Sequence, residues 1–357
     1  MTGSFLRLTL EEAVVDLAAG ETRPIVPMDG MVTVVIPAKD EERFIGSCLE
    51  SVLSQTEARL QVIVVDGESR DRTREIVLWY AQRDGRVELL VNADGRIPTS
   101  MNIGLRAARG RWLVRVDAHS TVPPDYVAKV VRHLATGRWG GVGGRKDGVG
   151  ATRAGRAIAA ALASPFGVGN SVYHHGTGMQ AVDHVPFGAY PTVLLRELGG
   201  WDERLSANED YELDYRLRRK GHRLLFDPAV TILWRSRQTI GELFRQYRRY
   251  GRGKASVARL HPGSLRLRHL AAPALIAGWA LALVLSVNRP MVLALAVLPY
   301  LVALATAGWV TARKAVDRGT PTLIVAAFAA MHVAWGLGFW EGIAREAWML
   351  CARGARG

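Results

Sequence analysis

Between residues 31 and 116, short apolar runs alternate with segments of helical period. Residues 31–36, Met-Val-Thr-Val-Val-Ile, form a β-branched run closed by Pro37, which reads as a buried strand. In 41–54 the apolar positions Phe44, Ile45, Cys48, Leu49, Val52 and Leu53 fall on one helical face. The alternation continues with a strand at 60–65 ending in Asp66-Gly67, a helix at 71–82, a strand at 87–91, a helix at 99–108 and a strand at 112–116. This order predicts an α/β fold, a mostly parallel sheet with helices on both faces. In such sheets ligands sit at the carboxyl ends of the strands. Pro37, Asp66 and Asp117 all fall at those ends.

Further along, the glycine-rich stretch 137–150 reads as a turn, 151–163 as a small-residue helix, and 166–185 as a loop carrying His174 and His175. Residues 191–198 lead into Gly199-Gly200-Trp201-Asp202. A helix over 211–220 starts at Glu209-Asp210 and stops at Gly221, a C-cap glycine. Three apolar segments then follow at 269–287, 290–312 and 322–343, each about long enough to cross ~30 Å of hydrocarbon. Five regions result: an N-terminal segment (1–30), an α/β domain (31–235), basic amphipathic interfacial helices (236–268), a transmembrane region of about three helices (269–345) and a tail (346–357).

Charge sharpens this division. The net charge is +13, and residues 235–269 hold ten Lys/Arg against one acid, Glu242, so nine of the thirteen net charges lie just before the first apolar segment. A basic run can bind nucleic acid, but no nucleic-acid motif is present, and the adjacent spans favour anionic membrane lipid, worth roughly 1 kcal/mol per basic residue. Arg313, Lys314 and Arg318 place the second loop in the cytoplasm, and the 288–289 turn then lies outside. Three spans put the C-terminus outside, against which Arg345, Arg353 and Arg356 argue; the third segment stays open between a span and a re-entrant or interfacial helix. His332 within it implies a functional or helix-pairing role. The two cysteines, Cys48 and Cys351, imply no disulfide framework. Residues 1–30 lack a signal-peptide h-region, and Thr9-Leu10-Glu11-Glu12 fits a capping box opening a short helix. The expected location is the cytoplasmic membrane, multi-pass, with the α/β domain in the cytoplasm.

Four ordered motifs carry the chemistry: Val34-Val35-Ile36-Pro37-Ala38-Lys39-Asp40-Glu41, Val64-Val65-Asp66-Gly67-Glu68-Ser69-Arg70-Asp71-Arg72-Thr73, Val116-Asp117-Ala118-His119 and Asn208-Glu209-Asp210. Together, over about residues 32–253, they resemble family 2 glycosyltransferases, inverting enzymes with the GT-A nucleotide-sugar-binding fold. Val114 to Ser120, Val185 to Tyr190 and Gln246 to Gly251 resemble most the membrane-anchored glucosyltransferases of exopolysaccharide assembly, the succinoglycan type.

The resemblance implies roles residue by residue. Asp66 would accept the imide N–H of uracil; otherwise Asp-Gly is a turn pair. Pro37, with Lys39 and Glu41, would form the loop beneath base and ribose, although Glu41 serves equally as a helix N-terminal charge. Arg96 is a phosphate contact or a solvated loop residue, and Asn102 would face the site from the following helix. Asp117 would meet a Mg²⁺ or Mn²⁺ ion on the donor diphosphate. The family usually has Asp-x-Asp here, and His119 stands in the third place. It ligates Mn²⁺, contacts phosphate or is a packing histidine.

Asp210 would be the general base for the acceptor hydroxyl, with Glu209 its orienting partner; both also complement a helix N-terminus. Gln246, Arg249 and Tyr250 are similar to the family's Gln-x-x-Arg-Trp element, near acceptor and diphosphate, and also fit an amphipathic interfacial helix.

These readings imply transfer of a hexose such as glucose from a UDP-sugar to a lipid-linked saccharide at the membrane surface. Alternatives are a polyprenyl-phosphate sugar synthase, a non-catalytic membrane scaffold that keeps the fold, and a processive synthase, for which the spans are too few unless subunits assemble.

Overall fold

The computed structural model describes residues 28–57, 59–315 and 320–354. The capping box at residues 9–12, Arg318 and Arg356 lie outside them. The chain divides into two compact units. One holds the residues up to Arg145 with Thr177–Arg204 and Glu209–Leu233; the other holds Lys146–Gly176, Leu205–Asn208 and the chain from Trp234 on. The second unit therefore takes in a segment from the middle of the 31–235 region.

In the first unit, β1 (Met28–Ala38), β2 (Leu60–Asp66), β3 (Val87–Val91) and β4 (Gly110–Arg115) alternate with α1 (Ile45–Leu53), α2 (Thr73–Ala81) and α3 (Ile97–Ala107). All seven residues of β2 are buried, which explains their unbroken apolar run. β1 pairs in parallel with β2 and β4, and β2 with β3. The remaining elements are β5 (Ser120–Thr121), α4 (Tyr126–Leu134), β6 (Gly141–Val149), β7 (Gln180–Val182), β8 (Ala189–Pro191), α7 (Thr192–Glu197), α8 (Glu209–Arg219) and β9 (Leu224–Arg235). The sheet order is β3-β2-β1-β4-β8-β6-β9-β5, with β7 on β9. β8 runs antiparallel to β4 and β6, and β7 to β9, so the parallel half continues into an antiparallel one and the sheet is mixed. A core of Val35, Ile63, Val65, Met101, Leu113, Tyr190, Trp201, Leu213 and Leu217 joins this sheet to its helices.

The glycine-rich stretch expected to turn is instead strand β6. A Cβ at Gly141 would collide with Tyr190 and Leu224, one at Gly143 with Val185 and one at Gly144 with the Val230 backbone. Glycine is there because neighbouring strands approach too closely for side chains. The expected loop over 166–185 likewise contains a short helix, α6 (Pro165–Val168), a 3₁₀ turn (Val172–His174) and β7. His175 Nε2 meets Gly169 O at 3.0 Å, which closes that turn.

The second unit comprises α5 (Arg153–Leu162), α6, α9 (Ile240–Leu260), α10 (Leu267–Ser286), α11 (Met291–Lys314) and α12 (Pro321–Gly354). Thr152 and Thr239 cap α5 and α9, each accepting a hydrogen bond from an N3 backbone N–H. Helices α10, α11 and α12 are long and apolar enough to cross a membrane.

Candidate active site

The carboxyl ends of the parallel strands lie level. Pro37 is opposite Val65, Ala38 opposite Asp66, and Asp66 opposite Val91. The loops leaving β1 and β2 are laced together. Asp40 N donates to Ser69 Oγ at 2.9 Å, Arg70 N to Asp40 Oδ1 at 2.8 Å, and Glu41 N to Thr73 Oγ1 at 2.7 Å. Asp40 and Glu68 adopt left-handed backbone at φ 56° and 57°. Lys39 crosses from its own loop to Gly95, where its Nζ fills the place a Cβ would take.

Asp66 is fully buried, and its carboxylate accepts Arg74 Nη2 at 2.7 Å and Ser69 N at 3.2 Å. Glu41 stands outside α1, which begins at Ile45 and has no acid in its first turn. Its backbone oxygen accepts Phe44 N and Ile45 N, each at 2.9 Å, at the entry to that helix, and its carboxylate meets His119 Nδ1 at 2.9 Å.

Arg96, the N-cap residue of α3, pairs with Asp94 at 2.7 Å and donates to Glu203 O at 2.6 Å. Asp94 is held down to about 2; burial opposes this, but the Arg96 N–H, the Thr99 hydroxyl and the Arg96 guanidinium all stabilise the carboxylate. Asn102 uses both ends of its amide on the segment after α7. Its Nδ2 donates to Trp201 O and Glu203 Oε1, each at 2.8 Å, and its Oδ1 accepts Trp201 N at 2.8 Å.

Arg115, the last residue of β4, joins two of the motifs. Its Nε donates to Asp117 Oδ1 at 2.8 Å, and its Nη1 to Asp210 Oδ1 at 2.7 Å and Glu209 Oε1 at 3.2 Å. Burial works against its charge, but Asp117, Asp210 and Glu209 hold the guanidinium charged, well above its ordinary range. Burial and the Asp210 carboxylate push Glu209 upward, against the pull of Arg115. Trp201 Nε1 adds a donor to Asp210 Oδ1 at 3.0 Å. The Phe187 ring lies 5.5 Å from the Arg115 guanidinium, from a left-handed backbone at φ 53°. Asp117 also accepts the Cys48 thiol on its backbone oxygen at 3.6 Å. Burial, with the Asp117 and Glu41 charges, pushes that thiol up and out of reach of ionisation.

One turn after Asp210, Asp214 accepts His184 Nδ1 at 2.8 Å, Val185 N at 2.8 Å and the Tyr190 hydroxyl at 2.9 Å. Burial raises Asp214 despite the His184 bond. Neither Arg115 nor Asp214 follows from motif reading alone. Their signals are an arginine in an apolar strand and a second acid four residues along one helix.

In the second unit, Gln246 is buried on α9 and donates to the Tyr250 hydroxyl at 2.9 Å, and Arg249 lies 5.9 Å from the Tyr250 ring. The three residues of that element thus form one linked group. Among the described residues no three His, Cys, Asp or Glu side chains form a metal cluster. The side chains that could meet an ion are the Asp117 carboxylate, whose Oδ1 Arg115 already holds, and the His119 imidazole, whose Nδ1 meets Glu41. That set fits an ion held mainly by ligand oxygens.

Residues 33–177 match the family model described as glycosyl transferase family 2, and residues 112–337 match glycosyl transferase family group 2. The chain is 34% identical over 317 residues to the succinoglycan biosynthesis protein ExoA of Rhizobium meliloti (strain 1021), covering 86% of this chain and 93% of that one. It is 20% identical over 238 residues to the dolichyl N-acetyl-alpha-D-glucosaminyl phosphate 3-beta-D-2,3-diacetamido-2,3-dideoxy-beta-D-glucuronosyltransferase of Methanococcus voltae, covering 64% and 74%. A solved structure of the mannosyltransferase PcManGT from Pyrobaculum calidifontis, in complex with GDP-Man and Mn²⁺, has the same fold, with a TM-score of 0.55 at 21% identity over 87% of this chain and 89% of that one.

Proposed function

The chain belongs to glycosyl transferase family 2 and has its GT-A fold, and from that premise we propose that it is a membrane-anchored, inverting hexosyltransferase of exopolysaccharide assembly. The donor is a UDP-linked sugar and the acceptor a lipid-linked saccharide. The observation that carries this reading is the Arg115 bridge, which reaches Asp210, 95 positions along the chain, and gathers the acid after β4 and the acids opening α8 into one cluster. The Methanococcus relative, named for transfer to a dolichyl-linked amino sugar phosphate, supports a lipid-linked acceptor. The apolar helices support anchoring in the cytoplasmic membrane.

In this reading Asp66 and the Pro37 loop, with Lys39 and Arg96, hold the nucleotide. Asp117 and His119 would hold a divalent ion, Mg²⁺ or Mn²⁺, which would supply neutralising charge to the diphosphate leaving group. Asp210 takes the proton of the acceptor hydroxyl as its oxygen attacks the anomeric carbon. One displacement with one base inverts the centre and needs no sugar–enzyme bond. Arg115 and the Trp201 N–H both fix Asp210 Oδ1 and aim the carboxylate, and Glu209 shares the guanidinium. Gln246, Arg249 and Tyr250 serve donor and acceptor, Arg249 holding the diphosphate leaving group and Tyr250 stacking on the acceptor sugar.

The test is sugar transfer by the purified protein in lipid, with a panel of nucleotide sugars, with Mg²⁺, Mn²⁺ or chelator, beside Asp210→Asn. Metal-dependent turnover of one donor, lost in the variant, is expected. Turnover unchanged in Asp210→Asn removes the base from the mechanism.

A further inference from the structure

Helices α10 and α11 form an antiparallel hairpin: Trp279 Nε1 donates to Ala296 O at 3.4 Å, and its ring meets Tyr300 edge-on at 5.0 Å. Helix α12 engages only one half of it. Trp335 Nε1 donates to His269 O at 3.2 Å, Trp340 Nε1 to Pro273 O at 2.9 Å, and Gly336 packs on Ala272 and Ile276. On α11 the contacts are Tyr300 with His332 at 3.1 Å and Gly308 with Val325. Toward the connecting turn, Leu281, Val284, Val287, Met291 and Leu295 are 60–81% exposed. A third span in an upright bundle would run past those residues.

Helix α12 runs instead alongside α9. Gly338 and Gly342, spaced as Gly-x-x-x-Gly, lie against the Arg248 and Arg252 backbone, and Gly251 lies against the backbone of Trp335 and Phe339. Glu341 pairs with Arg248 at 2.5 Å, and Glu346 with Arg259 at 2.5 Å and the Ser256 hydroxyl at 2.8 Å. The partners advance together along both helices, so α9 and α12 are parallel. Half of the apolar stretch of α12 is buried in the protein, against 17% for α10 and 11% for α11. A third span that took in the whole apolar stretch, Pro321–Trp348, would carry both ion pairs, with their half-exposed arginines, into hydrocarbon. The surface that α12 leaves open, Leu337, Trp340, Ile343 and Trp348, is the tryptophan-rich apolar face of an interfacial helix.

We infer that only α10 and α11 cross the bilayer. Helices α9 and α12 lie paired in an anionic headgroup layer, tryptophans toward the acyl boundary and arginines among phosphates, and the chain returns to the side that carries α9. The inference rests on the reading of the chain as membrane-anchored.

Cys351 is exposed and Cys48 buried, so the native chain offers one thiol to a membrane-impermeant maleimide. The second reporter is Asn288→Cys, in the turn between α10 and α11, combined with Cys351→Ser. In sealed vesicles of known orientation the two thiols are expected to label from opposite sides. Labelling from the same side means three spans and overturns the inference. A full-length fusion at Gly357 decides without cysteine chemistry: a fluorescent protein that lights, with a silent alkaline phosphatase, is expected, and an active phosphatase overturns it. Neither readout needs turnover, so an inactive chain still answers. A chain that extracts from membranes as a soluble protein fails the anchoring reading itself.

Discussion

Trp201 and Asp210 are joined by an indole N–H that donates to Oδ1 at 3.0 Å, and Asn102 holds the Trp201 backbone by two further bonds. A group that touches only the proposed base, Asp210, should tune it rather than build it. Trp201→Phe keeps most of the packing and removes the donor. A hydrogen bond to a charged group is worth about 1.5–3 kcal/mol, so kcat should fall by about 10- to 150-fold with KM for the donor unchanged. Steady-state kinetics with saturating acceptor checks this.

Arg115 is the shared cation of three carboxylates. Arg115→Met leaves them buried together and should cost about 3–5 kcal/mol of stability, as for any buried pair that loses one partner. Adding Glu209→Gln should recover part of that, because it removes one of the repelling charges. Thermal unfolding of the two variants decides; equal melting of single and double variants would refute the shared role.

Asp94 gives a pH signature. Its carboxylate is held down to about 2 against an ordinary value of 3.8. The clip on Arg96 and Thr99 is therefore fully present above about 3.8 and is lost as pH falls through about 2. Asp94→Asn should speed amide exchange at residues 94–99 at neutral pH, and the difference from the native chain should close toward pH 2.

Two glycines of the second unit should behave oppositely. A Cβ at Gly338 collides with the Arg248 backbone, whereas one at Gly278 meets nothing within 4 Å. Gly338→Ala should destabilise by roughly 1–3 kcal/mol through overpacking. Gly278→Ala should be neutral or stabilise by up to about 1 kcal/mol. Melting in one detergent compares them directly.

The parallel half of the sheet was legible because its strands are buried on both faces, as the 31–36 and 60–65 runs announce. Strand β6 was not, because its glycines answer to Tyr190, Val185 and Val230, residues 49, 42 and 86 positions further along the chain. Arg115 stood within a motif, yet its partners lie 94 and 95 positions away on α8. The apolar run marked α12, and the Gly-x-x-x-Gly spacing of Gly338 and Gly342 does not say that the helix they face is α9.

The guanidinium at the end of β4 is a resident counter-ion. It gives two distant chain segments an attraction that needs nothing from solution, so on the proposed mechanism cohesion and catalysis draw on different cations. Stripping divalent ions should then silence the protein reversibly while its melting temperature stays put, and a metal-free preparation should store, crystallise and be reactivated by simple addition.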